Sequence, residues 1–173
     1  MEKVKKFLPL IAAALALIAI FMIFAPSVVV DYQDEDIEND NYAGTHATFG
    51  WEEEEETLLG TVKYEYLKFS FMNLLTYILL IGGIACAVVC FIKNNDLFAF
   101  IAGGCFLLAG IFFFCAVGFT IPGETLVKAA DIFNGDPKEC WVLGAGAVIS
   151  AILSILASAG VLVPAILKKV KKG

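Results

Sequence analysis

Between Phe7 and Val30 the chain runs for twenty-four residues, FLPLIAAALALIAIFMIFAPSVVV, without a charge. A run of about 18 or more apolar residues with few charges is a candidate membrane-spanning helix. At ~1.5 Å of rise per residue it reaches about 36 Å, enough to cross a ~30 Å hydrocarbon core with some tilt. Lys3, Lys5 and Lys6 precede it, and Asp31, Asp34, Glu35 and Asp36 follow it. That asymmetry places the lysine end inside. The run exceeds the ~7–15-residue core of a secretory signal, and no clear small-x-small cleavage site follows, so an uncleaved first helix is expected. Pro9 falls in the first turn, where its missing N–H costs nothing. Pro26 is expected to kink or end the helix near its outer end.

Three more uncharged runs follow. The expected helices cover about 7–30, 69–92, 97–119 and 141–167, with outer loops at 31–68 and 120–140. The link Lys93–Asp96 is four residues long, which forces the second and third helices to be antiparallel neighbours. Lysines number three at the N-terminus, one in the link and four at the C-terminus, against four over the two long loops. The positive-inside rule puts both termini in the cytoplasm and both loops outside. The expected fold is a single all-α membrane domain of residues 1–173: a four-helix transmembrane bundle with a small extracellular cap in which strands can form. The localisation is the cell membrane, multi-pass, with the lipid bilayer as the first partner.

Charge is unevenly placed. The net charge is −6, but residues 31–68 hold twelve Asp/Glu and two Lys. The opening DYQDEDIENDNYAG reads as an acidic loop, and Glu52–Glu56 as a solvated face. In TVKYEYLKFSF the apolar residues Val62, Tyr64 and Tyr66 alternate with Lys63 and Glu65, the period of a strand. A second strand around Ala47–Trp51 is placed to pair with it, the hairpin resting on the outer helix ends. Glu124–Phe133 carries a short helical pattern that Gly135 and Pro137 would stop. Trp51 and Trp141 are expected as anchors at headgroup level.

The spans contain no Asp, Glu, Lys, Arg or His. Ionisable residues inside a membrane mark ion pathways and proton relays, so a proton-coupled transporter or charged pore is not expected. Asn73 and Thr76 leave room for a polar cluster near the outer end of the second span. The chain has no Arg, hence no bidentate forks for phosphate, and nucleic acid is not an expected partner. Among the five cysteines, Cys86 and Cys90 share a helix face, and Cys105 lies at a similar depth. Buried cysteines act mainly as small packing residues. Gly146, Ser150, Ser154 and Ser158, four apart, with Gly82 on the second helix and Gly103 on the third, form seams that let backbones approach in lipid. They serve helix packing within the chain or against a partner subunit. Asp34, Asp36, Glu38 and Asp40 alternate and are weak cation candidates, without the spacing of an EF-hand. His46 stands alone. No cofactor and no catalytic residue are expected.

The layout of four spans, a larger first outer loop and a smaller second one resembles the claudin-like tetraspan group. Gly50-Trp51 falls where that group carries its Gly-Leu-Trp motif. The loop lacks the group's cysteine pair, so no functional residue is carried over. Phe69–Leu79 and Leu143–Leu156 resemble segments of small four-span proteins of Gram-positive bacteria, which implies a bacterial plasma membrane and no activity. The leading functional expectation is a non-enzymatic structural or interaction protein whose acidic outer loop meets a partner or cations. The alternatives are a membrane thiol oxidoreductase using Cys86, Cys90 and Cys105, and an accessory subunit of a transporter. Association with itself or with another membrane protein is open.

Overall fold

The computed structural model describes residues 2–32, 38–57, 60–93, 95–132 and 135–170. In chain order the elements are α1 (Glu2–Phe21), a 3-10 turn (Met22–Phe24), β1 (Pro26–Val30), β2 (Asp40–Ala43), α2 (Gly44–Phe49), β3 (Trp51–Thr57) and β4 (Gly60–Lys68). Then come α3 (Phe71–Lys93), α4 (Asp96–Phe114), α5 (Ala116–Phe119), β5 (Ile121–Pro122), α6 (Glu124–Ile132), β6 (Trp141–Leu143) and α7 (Ala145–Val170). Four helical segments, at 7–24, 71–93, 96–114 and 145–170, are long and apolar enough to cross a membrane. The chain forms two compact units. Unit 1 is Met1–Met22, Leu75–Phe114 and Val148–Gly173, and unit 2 is Ile23–Leu74 and Cys115–Ala147.

Unit 1 is helical. Its interior is made of small residues and a few large ones that fill the gaps between them. Gly83 is covered by the ring of the fully buried Phe106, and Gly103 by Leu162. Asn95 caps α4, its Oδ1 accepting from the Leu97 N–H at 3.0 Å. Asp96 in the first turn of α4 pairs with Lys168 in the last turn of α7 at 2.8 Å. Each charge also opposes the partial charge of its own helix end.

Unit 2 holds two three-stranded sheets. The first has the order β2-β1-β6 and the second β3-β4-β5. All pairs are antiparallel: Val28 lies opposite Tyr42 and Leu143, and Val30 opposite Asp40 and Trp141. The core gathers Val28, Val30, Tyr42, Ala47, Leu67 and Trp141.

Several expected boundaries are corrected. The first helix does not run to Val30: it ends at Phe21, and Pro26–Val30 is the central strand of a sheet. Pro26 cannot donate the N–H that a continuing helix needs, and Val28–Val30 are β-branched residues that favour a strand. The third helix stops at Phe114; Cys115 is a turn before the separate α5. Trp141–Leu143 is a strand rather than the start of the fourth helix. Ala47–Phe49 is helical, and the strand beside β4 is the glutamate run itself. The expected helix at Glu124–Phe133 is α6, Glu124–Ile132; Phe133 lies outside the described residues.

Candidate functional site: an acidic end strand over an aromatic core

β3 takes its strand conformation from β4. Glutamate is depleted in strands, but the alternating Val62, Tyr64 and Tyr66 of β4 offer a ladder, and β3 pairs along its whole length from Trp51↔Leu67 to Thr57↔Gly60. Gly50 admits the entry, with φ +86° and the Leu67 carbonyl 2.9 Å from where a Cβ would sit. A register shift follows between Trp51 and Glu52. Beyond it Glu52, Glu54 and Glu56 share one face of the ribbon, and Glu53 and Glu55 the other.

All five glutamates are exposed. Glu54 pairs with Lys63 opposite it, whereas Glu52 lies opposite Glu65, a like charge. Glu65 also pairs with Lys68 at 3.4 Å. The hydrogen bond from Lys63 to Glu54, then the charges of Glu54 and Glu52, hold the Lys63 ammonium above its ordinary range. β3 ends the order of its sheet. Charged side chains on such an edge discourage pairing with another copy. Ionised carboxylates only accept hydrogen bonds, so this strand offers cations and basic groups a row of acceptors.

Behind the strand lies an aromatic stack. Trp51 stacks with His46, at 4.8 Å and nearly parallel, and with Tyr66, at 5.0 Å, with Tyr42 edge-on at 5.7 Å. Trp51 is partly buried against this core. Trp141 is buried in the same core. His46 Nδ1 and Thr48 Oγ1 are buried without a hydrogen-bond partner among the described residues.

Of the cation candidates, Asp34 and Asp36 lie outside the described residues. Glu38 is exposed, and Asp40 accepts the Tyr32 hydroxyl at 2.8 Å. Burial, then that hydrogen bond to Asp40, push the Tyr32 phenol up to about 12. Burial also raises the Tyr42 and Tyr66 phenols. Among the described residues no three His, Cys, Asp or Glu side chains form a metal-holding group. The five cysteines are free thiols: Cys86, Cys90 and Cys105 belong to unit 1, Cys115 and Cys140 to unit 2.

The seam residues sit at different contacts. Ser150 Oγ donates to the Ala19 carbonyl at 3.0 Å, joining α7 to α1, and Ser158 Oγ donates to the Gly103 carbonyl at 2.8 Å, joining α7 to α4. Ser154 bonds back to Ser150 of its own helix. Gly146 lies against Pro26 and Ala25 within unit 2. Gly82 is exposed with open space beside it; the glycine of α3 covered by a neighbouring side chain is Gly83.

Asn73, flagged as polar within an apolar run, is the centre of a buried clasp. Its Nδ2 donates to the Ala47 carbonyl at 2.8 Å and to Thr120 Oγ1 at 3.0 Å. Ser70 Oγ accepts the Asn73 N–H as a helix cap and donates to the Phe119 carbonyl at 2.7 Å. The roles of Ser70 and Thr120 went unseen because each is a lone hydroxyl at a segment end. No protein-family model matches the chain, and no curated protein is similar to it.

Proposed function

We propose that the chain is a multi-pass plasma-membrane protein of structural or interaction type. Its four long helices form a transmembrane bundle with both termini in the cytoplasm. Unit 2 is then the extracellular part, and β3 is the surface that meets a cationic partner or cations. The observation that carries this reading is the row Glu52–Glu56, five exposed carboxylates on a strand at the end of its sheet. A charge block in a disordered loop has no fixed spacing. On a strand the same-face carboxylates recur at ~6.6–6.8 Å, twice the strand rise. The layout, with a sheet in the first outer loop, also resembles the claudin-like group.

The test is calorimetric titration of the full-length protein in lipid nanodiscs with Ca²⁺, spermine and octalysine. The comparison is a variant carrying Glu→Gln at positions 52 to 56. The reading expects at least one probe to bind the natural protein about tenfold or more tighter than the variant. Equal binding of all three to both proteins overturns it.

A further inference from the structure

Three segments of unit 2 run side by side. The Ser70 N–H donates to the Thr48 carbonyl at 2.9 Å, and Lys68 pairs with Ile121. On each segment a polar side chain points inward and its apolar neighbour outward. Thr48, Ser70 and Thr120 are 1%, 1% and 0% exposed, whereas Phe49, Phe69 and Ile121 are 58%, 50% and 44% exposed. The pattern continues into the first turn of α3, where Phe71 and Met72 are exposed and Asn73 is buried.

A water-facing surface alternates in the opposite sense, apolar in and polar out. Apolar-out and polar-in is the pattern of a surface bathed in lipid. Three of the inward groups are satisfied within the protein: Asn73 bonds Ala47 and Thr120, Thr120 Oγ1 donates to the Ala116 carbonyl at 2.8 Å, and Ser70 bonds Phe119; Thr48 Oγ1 is the exception, buried with no partner among the described residues. Charge resumes immediately outside this collar, at Glu52 and Lys68. Lys68 can lay its stem on apolar surface and keep its ammonium in water.

We propose that Phe49, Phe69 and Ile121, with Phe71 and Met72, form a lipid-binding collar. It holds this part of unit 2 in the interfacial and upper acyl region of the bilayer, and its occupant is phospholipid. Chain continuity argues for lipid over a second copy. Phe69 stands two residues before α3, and Phe71 and Met72 belong both to the collar and to that helix. Trp141 is buried and Trp51 partly so, and the collar adds exposed apolar side chains to the anchoring expected of them. The inference rests on reading α3 as a membrane span.

The test uses full-length protein in nanodiscs, with its five cysteines replaced by alanine and one nitroxide attached through Phe49→Cys, Phe69→Cys or Ile121→Cys. Oxygen and a nickel chelate compete to relax the spin. The collar expects oxygen to exceed nickel access several-fold at all three positions, as at an Ile152→Cys control on α7, and the reverse at Glu54→Cys. Nickel access at the collar with an oxygen-dominated Ile152 control overturns the collar and leaves the spans standing. Nickel access at Ile152 overturns the membrane reading itself. Exclusion of both reagents overturns the collar, and spin–spin broadening then identifies a second copy as the occupant. Should the cysteine-free protein not fold, Phe69→Trp in the natural background replaces it. Its added emission must be quenched by acyl-brominated lipid more strongly than that of Trp51 and Trp141, and equal quenching overturns the collar.

Discussion

Helix α7 turns Ser150, Ser154, Ala157 and Ser158 inward and Ile149, Ile152, Leu156 and Val163 outward. The first sheet of unit 2 does the reverse, burying Val28, Val30, Tyr42 and Trp141, while the glutamates of β3 face outward. Each unit therefore owes its own interior to different physics. Unit 2 gains by removing large apolar side chains from water, at ~25 cal/mol for each Å². In lipid that gain vanishes, because the acyl chains are as apolar as leucine. What remains is close backbone approach and hydrogen bonding between helices, and small residues and serines supply both. Four buried alanines of α1, at 12, 13, 16 and 19, repeat the lesson.

The comparison breaks most visibly if charge and aliphatic side chains are exchanged. Ile152→Asp places a carboxylate on the outward face of α7 and is expected to cost up to ~2.5–3.5 kcal/mol of insertion, the figure for Asp at a helix centre. Glu54→Ile is expected to leave the melting of unit 2 almost unchanged while promoting association through its open edge. Insertion mapping and light scattering read the two effects. A tolerated Ile152→Asp would show that this face of α7 meets water.

A smaller effect separates the buried hydrogen bonds of the two units. Asn73→Ala leaves the Ala47 carbonyl and Thr120 hydroxyl without their donor, and about 1–3 kcal/mol of stability should go with it. Ser158→Ala removes an interhelical bond of a kind that averages ~0.6 kcal/mol in membranes. Denaturation of both variants in the same bicelles should rank them in that order, and equal losses would erase the distinction.

The smallest effect is spectroscopic. Tyr32, raised to about 12, is favoured neutral in the fold. The stability this provides is complete below the ordinary tyrosine value of ~10 and is lost as pH climbs through 12. The tyrosinate absorbance missing in Tyr32→Phe should appear near pH 12. Its appearance near 10 would mean that neither the burial of Tyr32 nor its contact with Asp40 is made.

The four long helices were legible because absence of charge over twenty or more residues is a strong signal. The strands at Pro26–Val30 and Trp141–Leu143 were not, because a short apolar run reads alike as buried strand and as helix. The glutamate strand was hidden for a different reason. Five identical side chains carry no alternation, and its conformation is imposed by β4, where the alternation of Val62, Tyr64 and Tyr66 was visible. Asn73 announced itself as a polar residue among apolar ones. The partners that satisfy it lie 26 and 47 positions away, beyond the reach of any local pattern. The collar was illegible too, since Phe49, Phe69 and Ile121 belong to three separate segments.

The central strand of the first sheet also imposes an order of assembly. On the ribosome, β1 emerges early and β2 follows about ten residues later, but its other partner, Trp141–Leu143, is made more than a hundred residues later. At roughly 5–20 residues per second this is a wait on the order of 5–20 s. Throughout it one edge of Val28–Val30 stays unpaired while α3 and α4 are synthesised. A nascent chain stalled before Trp141 would therefore present that valine edge to chaperones and proteases, and release from the stall would close it.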